Sequence, residues 1–452
     1  MKPALLLLAS LLLSPAGSAQ ESEPAFNSNR WQENYQYLAK QPRKNVYDNF
    51  KYLPLLSDRD DVYLSLGGNF RERLNSYNND LFGLKPHNDG QVFLHRFLVH
   101  ADLHVSEQVR AFIQLSSYLS DTVGLNKGSL DNNSADLQQG FVDLHFQTVT
   151  ARVGRQEFAL GSSRLISVRE GQNVRRAFDG VHVRLKNTYL DVEAFGFEEV
   201  EVKPASFDDQ GNTQEKLWGL NSKWAFKPTK AEFYYIGLQR QAAKYQAMMA
   251  DETRHSFGTR MFGKQSGWDW NHEGIYQTGR YGSLTINAWT LASLTGYTFN
   301  SLKWRPRLGL SANIASGDDN AKDKQLNTFN PLYPNLSYFE EAAMLAPQNF
   351  FNIMPNLAIQ PLTNVRVSVD WNFYWRLSKN DAVYVRGLNP LPQTLGVNGQ
   401  FVTHAFSGNV DWEINKYVSL GFSYSHFFAG QVITEAGGHD TDYLRSQVNV
   451  AF

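Results

Sequence analysis

Residues Asn364–Trp375 read Asn-Val-Arg-Val-Ser-Val-Asp-Trp-Asn-Phe-Tyr-Trp. Val365, Val367, Val369, Trp371, Phe373 and Trp375 fall on one face. Asn364, Arg366, Ser368, Asp370, Asn372 and Tyr374, continuing to Arg376, fall on the other. Successive side chains of a strand point to opposite sides, so this is a strand with one apolar and one polar, charged face. The alternation runs well past the ~5–6 residues usual for strands of soluble sheets, and ~9–11 tilted residues cross a bilayer. An apolar outer face around a wet, charged interior is the pattern of a transmembrane β-barrel. A half-buried strand of a soluble sheet also alternates, so the decision rests on the rest of the chain.

Both ends favour the membrane. Lys2, the apolar run Ala4–Leu13 and the small residues Ser14-Pro15-Ala16-Gly17-Ser18-Ala19 have the form of a signal peptide, residues 1–19, cleaved after Ala19. That run is too short to span a bilayer as a helix, and no later segment approaches the ~18 apolar residues a membrane helix needs. At the other end, Tyr443, Arg445, Gln447, Asn449 and Ala451 oppose Leu444, Val448, Val450 and Phe452, with Ser446 the exception. A last amphipathic strand ending in Phe resembles the closing strand by which the barrel assembly machinery recognises bacterial outer-membrane barrels. The expected location is the outer membrane of a Gram-negative cell, with membrane lipid as a partner.

Composition agrees. The mean hydropathy of −0.42 is low for a helical membrane protein but natural where every second residue faces water. Aromatic residues make up 13%, as expected where girdles sit at both interfaces. The net charge of −1 gives no bulk electrostatic case for nucleic acid, and the absence of Cys excludes a disulfide framework.

Residues 20–60 read as a polar, aromatic-dotted lead-in on the periplasmic side, able to tuck under or into a barrel. Residues 61–452 read as an all-β, antiparallel transmembrane barrel. Eighteen spans run from 62–74 to 440–452, among them 303–317, 362–377, 380–388 and 400–414. Connections after even-numbered spans are short, as at Ser106–Gln108, Thr148, Thr188 and Ile414–Lys416. Those after odd-numbered spans are long, as at Asn75–Gln91, Asp121–Asp136, Ala159–Arg175, Asp318–Pro361 and Gly430–His439. Short periplasmic turns and long extracellular loops are the habit of bacterial barrels. Period two then assigns Arg71, Arg73, Arg96, Asp143, Arg152, Arg184, Arg366, Asp370 and Arg445 to the lumen. Val153, Leu308, Leu310, Phe422 and Tyr424 face lipid. Spans 216–227 and 230–241 alternate too poorly to be assigned a face.

The densest charge lies in Val153–Val183, which carries Arg155, Arg164, Arg169, Arg175 and Arg176 with Glu157, Glu170 and Asp179. Arg keeps its charge and binds both oxygens of a carboxylate, and rings of Arg select anions in pores. Folded into the lumen, this loop would favour permeant carboxylates. The same Arg–carboxylate pairs could equally pin the loop.

The segment VGRQEFALGSSRLISVREGQNVRRAFDGV closely resembles the central motif of the alginate export family of outer-membrane porins. The likeness recurs at NYQYLA (34–39), YLSLGGNFRERLN (63–75), ASGD (315–318) and TFNPLYPNLSYFEEAAMLAPQNFFNI (328–353). It implies an eighteen-stranded monomer whose Arg-rich constriction passes an anionic uronate polysaccharide, with periplasmic export proteins as possible partners. Carried onto matching positions, Arg155, Arg169, Arg175 and Arg176 lead the constriction candidates, beside strand-borne Arg71, Arg73, Arg152 and Arg184; Arg366 is a further pore-lining candidate from its place on the polar face of its strand. One departure is visible: the best-known exporter of the family has a long periplasmic gating turn, and here the comparable turn is only Glu413–Tyr417. The alternatives are an uptake porin for small nutrients and a barrel enzyme. His-Glu-x-x-His and Gly-x-Ser-x-Gly are both missing, which argues against catalysis. No cofactor is expected. Asp318, Asp319 and Asp323 could hold Ca²⁺ through oxygen ligands, or form a solvated acidic loop.

Overall fold

The computed structural model describes residues 26–41, 46–320 and 322–452. The expected signal peptide lies outside the described residues. Eighteen long strands form one closed antiparallel barrel. They are β1 (Tyr63–Asn78), β2 (Gly90–His104), β3 (Val109–Val123), β4 (Asn133–Phe146), β5 (Val149–Gln156), β6 (Phe178–Lys186), β7 (Leu190–Glu201), β8 (Glu215–Phe226) and β9 (Thr229–Tyr245). Then follow β10 (Met248–Gln265), β11 (Trp268–Tyr281), β12 (Leu284–Thr298), β13 (Arg307–Ala315), β14 (Phe350–Leu362), β15 (Val365–Arg376), β16 (Phe401–Glu413), β17 (Val418–Ala429) and β18 (Thr441–Ala451). Each pairs with its chain neighbour, and β18 returns to β1 in a register that includes Arg71↔Asn449 and Tyr77↔Tyr443. Closure leaves no strand edge unpaired, which the bilayer demands. Among the described residues no helix is long and apolar enough to cross a membrane.

The outer surface is apolar because the outward half of each alternation is: Phe97, Ile113, Val153, Phe257, Leu310, Trp371 and Phe422 are all exposed. Inward positions carry the charge: Arg71, Arg96, Asp102, Asp143, Arg152, Arg254, Arg376 and Arg445 are buried. The two-residue turn between β14 and β15 and the turns after β2, β4 and β16 lie at one end, together with the start of β1 and the end of β18. An outer-membrane barrel turns that end to the periplasm.

Two expected spans need correction. β14 lies inside what the sequence presents as one long outer loop, and 380–388 is not a wall strand. There, Val383–Val385 pairs with Asn389–Leu391 as a small hairpin folded into the barrel. The count of eighteen survives because one omission cancels one excess. Pro355 explains the omission: it supplies no N–H, and pairing of β14 with β15 lapses between Ile353 and Asn356. Val383 and Val385 imitate a wall strand because their apolar side chains are buried, but in the loop core rather than against lipid.

The interior is filled from both ends. From outside, loops 157–177, 316–349 and 377–400 fold inward and build an apolar core with inward residues of β6–β9. Phe158, Leu165 and Ile166 of the first loop, with Phe329 and Tyr333 of the second, share this core with Phe197, Leu217, Ile236 and Leu238. That is why spans 216–227 and 230–241 alternate poorly: their inner face meets apolar loop, not water. From the periplasmic end, the lead-in enters the mouth. Arg30 donates to Glu33 (2.8 Å), to Gly68 O (2.7 Å) and to Phe452 O (3.0 Å). Lys51, at the end of a short helix (Val46–Lys51), donates to Leu66 O at 3.0 Å. Gly67 makes room for it, since a Cβ there would lie 2.3 Å from Lys51 Nζ.

Candidate functional site

Loop 157–177 leaves β5 and returns on β6, where Gly154 faces Gly180 across the ladder. Both have positive φ, +129° and +154°, and a Cβ on either would press within 2.3 Å of a neighbouring carbonyl oxygen. Only glycine satisfies both constraints. Between these strand ends the loop crosses the lumen. Its tip reaches the wall at β11, where Arg164 Nε lies 2.9 Å from Glu273 Oε2.

The expected arginines separate into three groups. The first gathers on residues 170–174 of the loop. Arg71 donates to Glu170 O (3.1 Å) and Gln172 O (2.9 Å). Arg73 donates to Gly171 O and, at 2.8 Å, to Gln447 Oε1. Arg169, with a left-handed backbone at φ 59°, donates from Nε to Val174 O at 3.1 Å. Arg175 forks onto Glu157, both contacts 2.7 Å, and also meets Glu170. Burial opposes the charge of Arg175, but Glu157 outweighs it and holds the guanidinium above its ordinary pKa. Arg96, an expected lumen residue not singled out for the site, joins this group. It donates to Asn173 O (2.9 Å) and to Glu170 Oε1 (2.5 Å). Of these five guanidiniums, Arg71, Arg96 and Arg175 meet the two carboxylates Glu157 and Glu170, while Arg73 and Arg169 are held by neutral oxygens alone. Positive charge is in excess.

The second group is matched pair by pair. Arg152 forks onto Asp143 (2.7 and 2.8 Å) and lies between the rings of Trp31 and Phe141, 3.7 Å from each centroid. Arg155 forks onto Asp179 at 2.8 and 3.0 Å. Arg176 meets Glu199 and Tyr333 O, each at 2.7 Å. Arg184 holds Asp191 at 2.7 and 2.6 Å. These residues fasten loop, lead-in and wall together. Arg366 stands apart, exposed at the periplasmic mouth beside a cavity of about 390 Å³ whose rim also carries Lys264, Arg305 and Arg307.

Sequence reasoning missed Asn173, which is fully buried and donates from Nδ2 to His95 O, Leu119 O and Asp131 O, docking the loop on β2 and β3. It also missed an outer vestibule of about 650 Å³ lined by Lys85, Lys244, Tyr245, Arg254, Tyr281 and Tyr384. These residues come from separate strands and loops, so no local pattern could reveal them. Asp318, Asp319 and Asp323 do not converge. Among the described residues the carboxylates that do are Asp136, Asp208 and Asp209. Asp136 there accepts from the main-chain N–H groups of Asp208 (3.0 Å) and Asp209 (3.1 Å).

Comparison with known proteins accords with this architecture. The sequence profile described as Alginate export matches residues 62–447. No curated protein matches the chain by sequence. Acinetobacter baumannii OccAB1 is similar in fold at a TM-score of 0.61 and 13% identity, over 90% of this chain and 99% of that one. A. baumannii OccAB3 aligns at 0.60 and 9% identity, over 86% and 99% of the two chains. Pseudomonas aeruginosa OccK5 (OpdH) aligns at 0.58 and 11% identity, over 86% and 98%. A closed barrel with an apolar belt, a charged lumen and a family match across nearly all of its wall leaves one assignment: the chain belongs to the alginate export family and is an outer-membrane β-barrel channel.

Proposed function

We propose that the barrel passes anionic saccharides of the uronate type, passively, past the arginine cluster on loop 157–177. The observation that carries this reading is the excess of guanidinium over carboxylate there, with Arg73 and Arg169 held by amide and main-chain oxygens. Fixed charge in a narrow lumen favours the opposite ion, and Arg suits a carboxylate because its fork engages both oxygens. Screening over ~10 Å at 0.1 M salt makes the preference steepest at low salt.

The test is planar-bilayer recording with the full chain. The channel is expected to select anions over cations, and current should be blocked by uronate oligomers but not by neutral oligomers of equal length. Arg73→Gln with Arg169→Gln, which breaks no carboxylate pair, should lower the anion preference and leave a heat-resistant barrel. A cation-selective wild type at low salt overturns the reading. A second reading, uptake of small carboxylates, is favoured by the lead-in that fills part of the periplasmic mouth. It predicts block by uronate monomers and none by longer chains.

A further inference from the structure

Glu170 is unlike the other carboxylates of the site. Glu157 is buried beneath Arg175, whereas the Glu170 side chain is 49% exposed to the lumen. The three guanidiniums that touch it, Arg71, Arg96 and Arg175, are 1–3% exposed. Its Oε1 lies 2.5 Å from Arg96 Nη1 and 3.4 Å from Arg71 Nη1, and its Oε2 meets Arg175. The loop does not need this side chain to stay in place. The main-chain carbonyls of residues 170–173 already accept from Arg71, Arg73 and Arg96, and Asn173 ties the same segment to three carbonyls of the wall and neighbouring loop. What remains is a half-solvated carboxylate resting on three buried cations.

We infer that Arg71, Arg96 and Arg175 form a carboxylate-binding subsite that Glu170 occupies at rest and yields to a carboxylate arriving through the lumen. The inference rests on the anionic-saccharide reading and adds the place where the saccharide's carboxylate binds and what competes for it. The exchange conserves charge: one carboxylate replaces another on the same guanidiniums while Glu170 turns into water. No buried charge is left unpaired at any stage, so the cost of stripping a carboxylate from buried arginines is avoided. The ligand class follows from the geometry, a single carboxylate on a chain slim enough to follow Glu170's own path. A resident competitor of this kind also keeps the subsite from holding an anion too tightly, which conduction requires.

The experiment compares wild type with Glu170→Gln, which keeps the shape and removes the competing charge. In planar bilayers with glucuronate as probe, the half-blocking concentration should fall at least about ten-fold in Glu170→Gln, the factor carried by one charge-assisted hydrogen bond. Anion preference should rise, and glucose should remain without effect on both. A heat-resistant Glu170→Gln barrel that binds glucuronate no better than an anion-selective wild type overturns the inference and leaves the anionic-channel reading standing. A variant that loses heat resistance makes Glu170 a structural pin and overturns it as well. A cation-selective wild type overturns the reading itself, and the subsite with it. Arg96→Gln in the Glu170→Gln background should restore weak block; retention of tight block would place the subsite elsewhere.

Discussion

Glu340 is buried in loop 316–349, with Oε1 accepting from Met344 N at 2.6 Å and Oε2 without a partner. Burial pushes its carboxyl up to about 8; the Met344 N–H opposes the shift and the nearby Asp370 adds to it. Below the ordinary carboxylate range the group is protonated whether or not the chain is folded, so it costs nothing. From there up to about 8 only the unfolded chain ionises, and stability falls across that window. Glu340→Gln should therefore raise the heat-modification midpoint at pH 8 and leave it unchanged at about pH 4. Equal midpoints at both pH values would show that this carboxyl is not buried. At this scale the sequence displayed the arginines but not their partners. Arg152 and Arg73 look alike as inward residues of amphipathic strands, yet one is spent on Asp143 and two rings while the other is held by neutral oxygens. That difference arises from chain segments far apart in sequence, which periodicity cannot register.

Among the elements, the walls were legible and the inserts were not. Alternation located most strands because lipid outside and water inside impose opposite demands on neighbouring residues. It placed β8 and β9 but not their facing, because apolar loops replace water there, and it missed β14, where Pro355 interrupts the ladder. The lead-in is the element with a pH response of its own. Burial, then the charge of Arg30, lowers Lys51 to about 7, with Glu33 opposing. A lysine whose folded pKa is depressed contributes most above its ordinary value of ~10.4, and that contribution is lost as pH falls through the folded value. Docking of the lead-in should thus weaken down to about pH 7 and stay weak below it. Limited proteolysis within residues 46–60 is expected to run faster at about pH 6 than at about pH 9, and Lys51→Met should flatten the difference. A cleavage rate indifferent to pH in the wild type would remove Lys51 from this role.

For the whole molecule, the alternation of connection lengths fixes orientation, and the chain's lack of Cys makes this easy to read. Single cysteines at Asn126 and Thr213, in exposed outer loops, should react with an impermeant maleimide on intact cells. One at Thr188, in an exposed turn of the opposite end, should react only after the outer membrane is permeabilised. Labelling at Thr188 alone would invert the barrel. The fold was thus open to reading from a linear pattern, since one solvent boundary dictates every strand. The lumen was not, because it is built by loops meeting across the barrel.

Arg30 binds Gly68 O and Phe452 O, and those two residues also exchange main-chain hydrogen bonds at 2.8 and 3.0 Å. Gly68 belongs to the first strand and Phe452 is the last residue of the chain. The berth of the lead-in therefore does not exist until the two ends of the wall have met. The lead-in thus sits on the seam of the cylinder, and its full set of contacts is available only to a barrel whose first and last strands are paired.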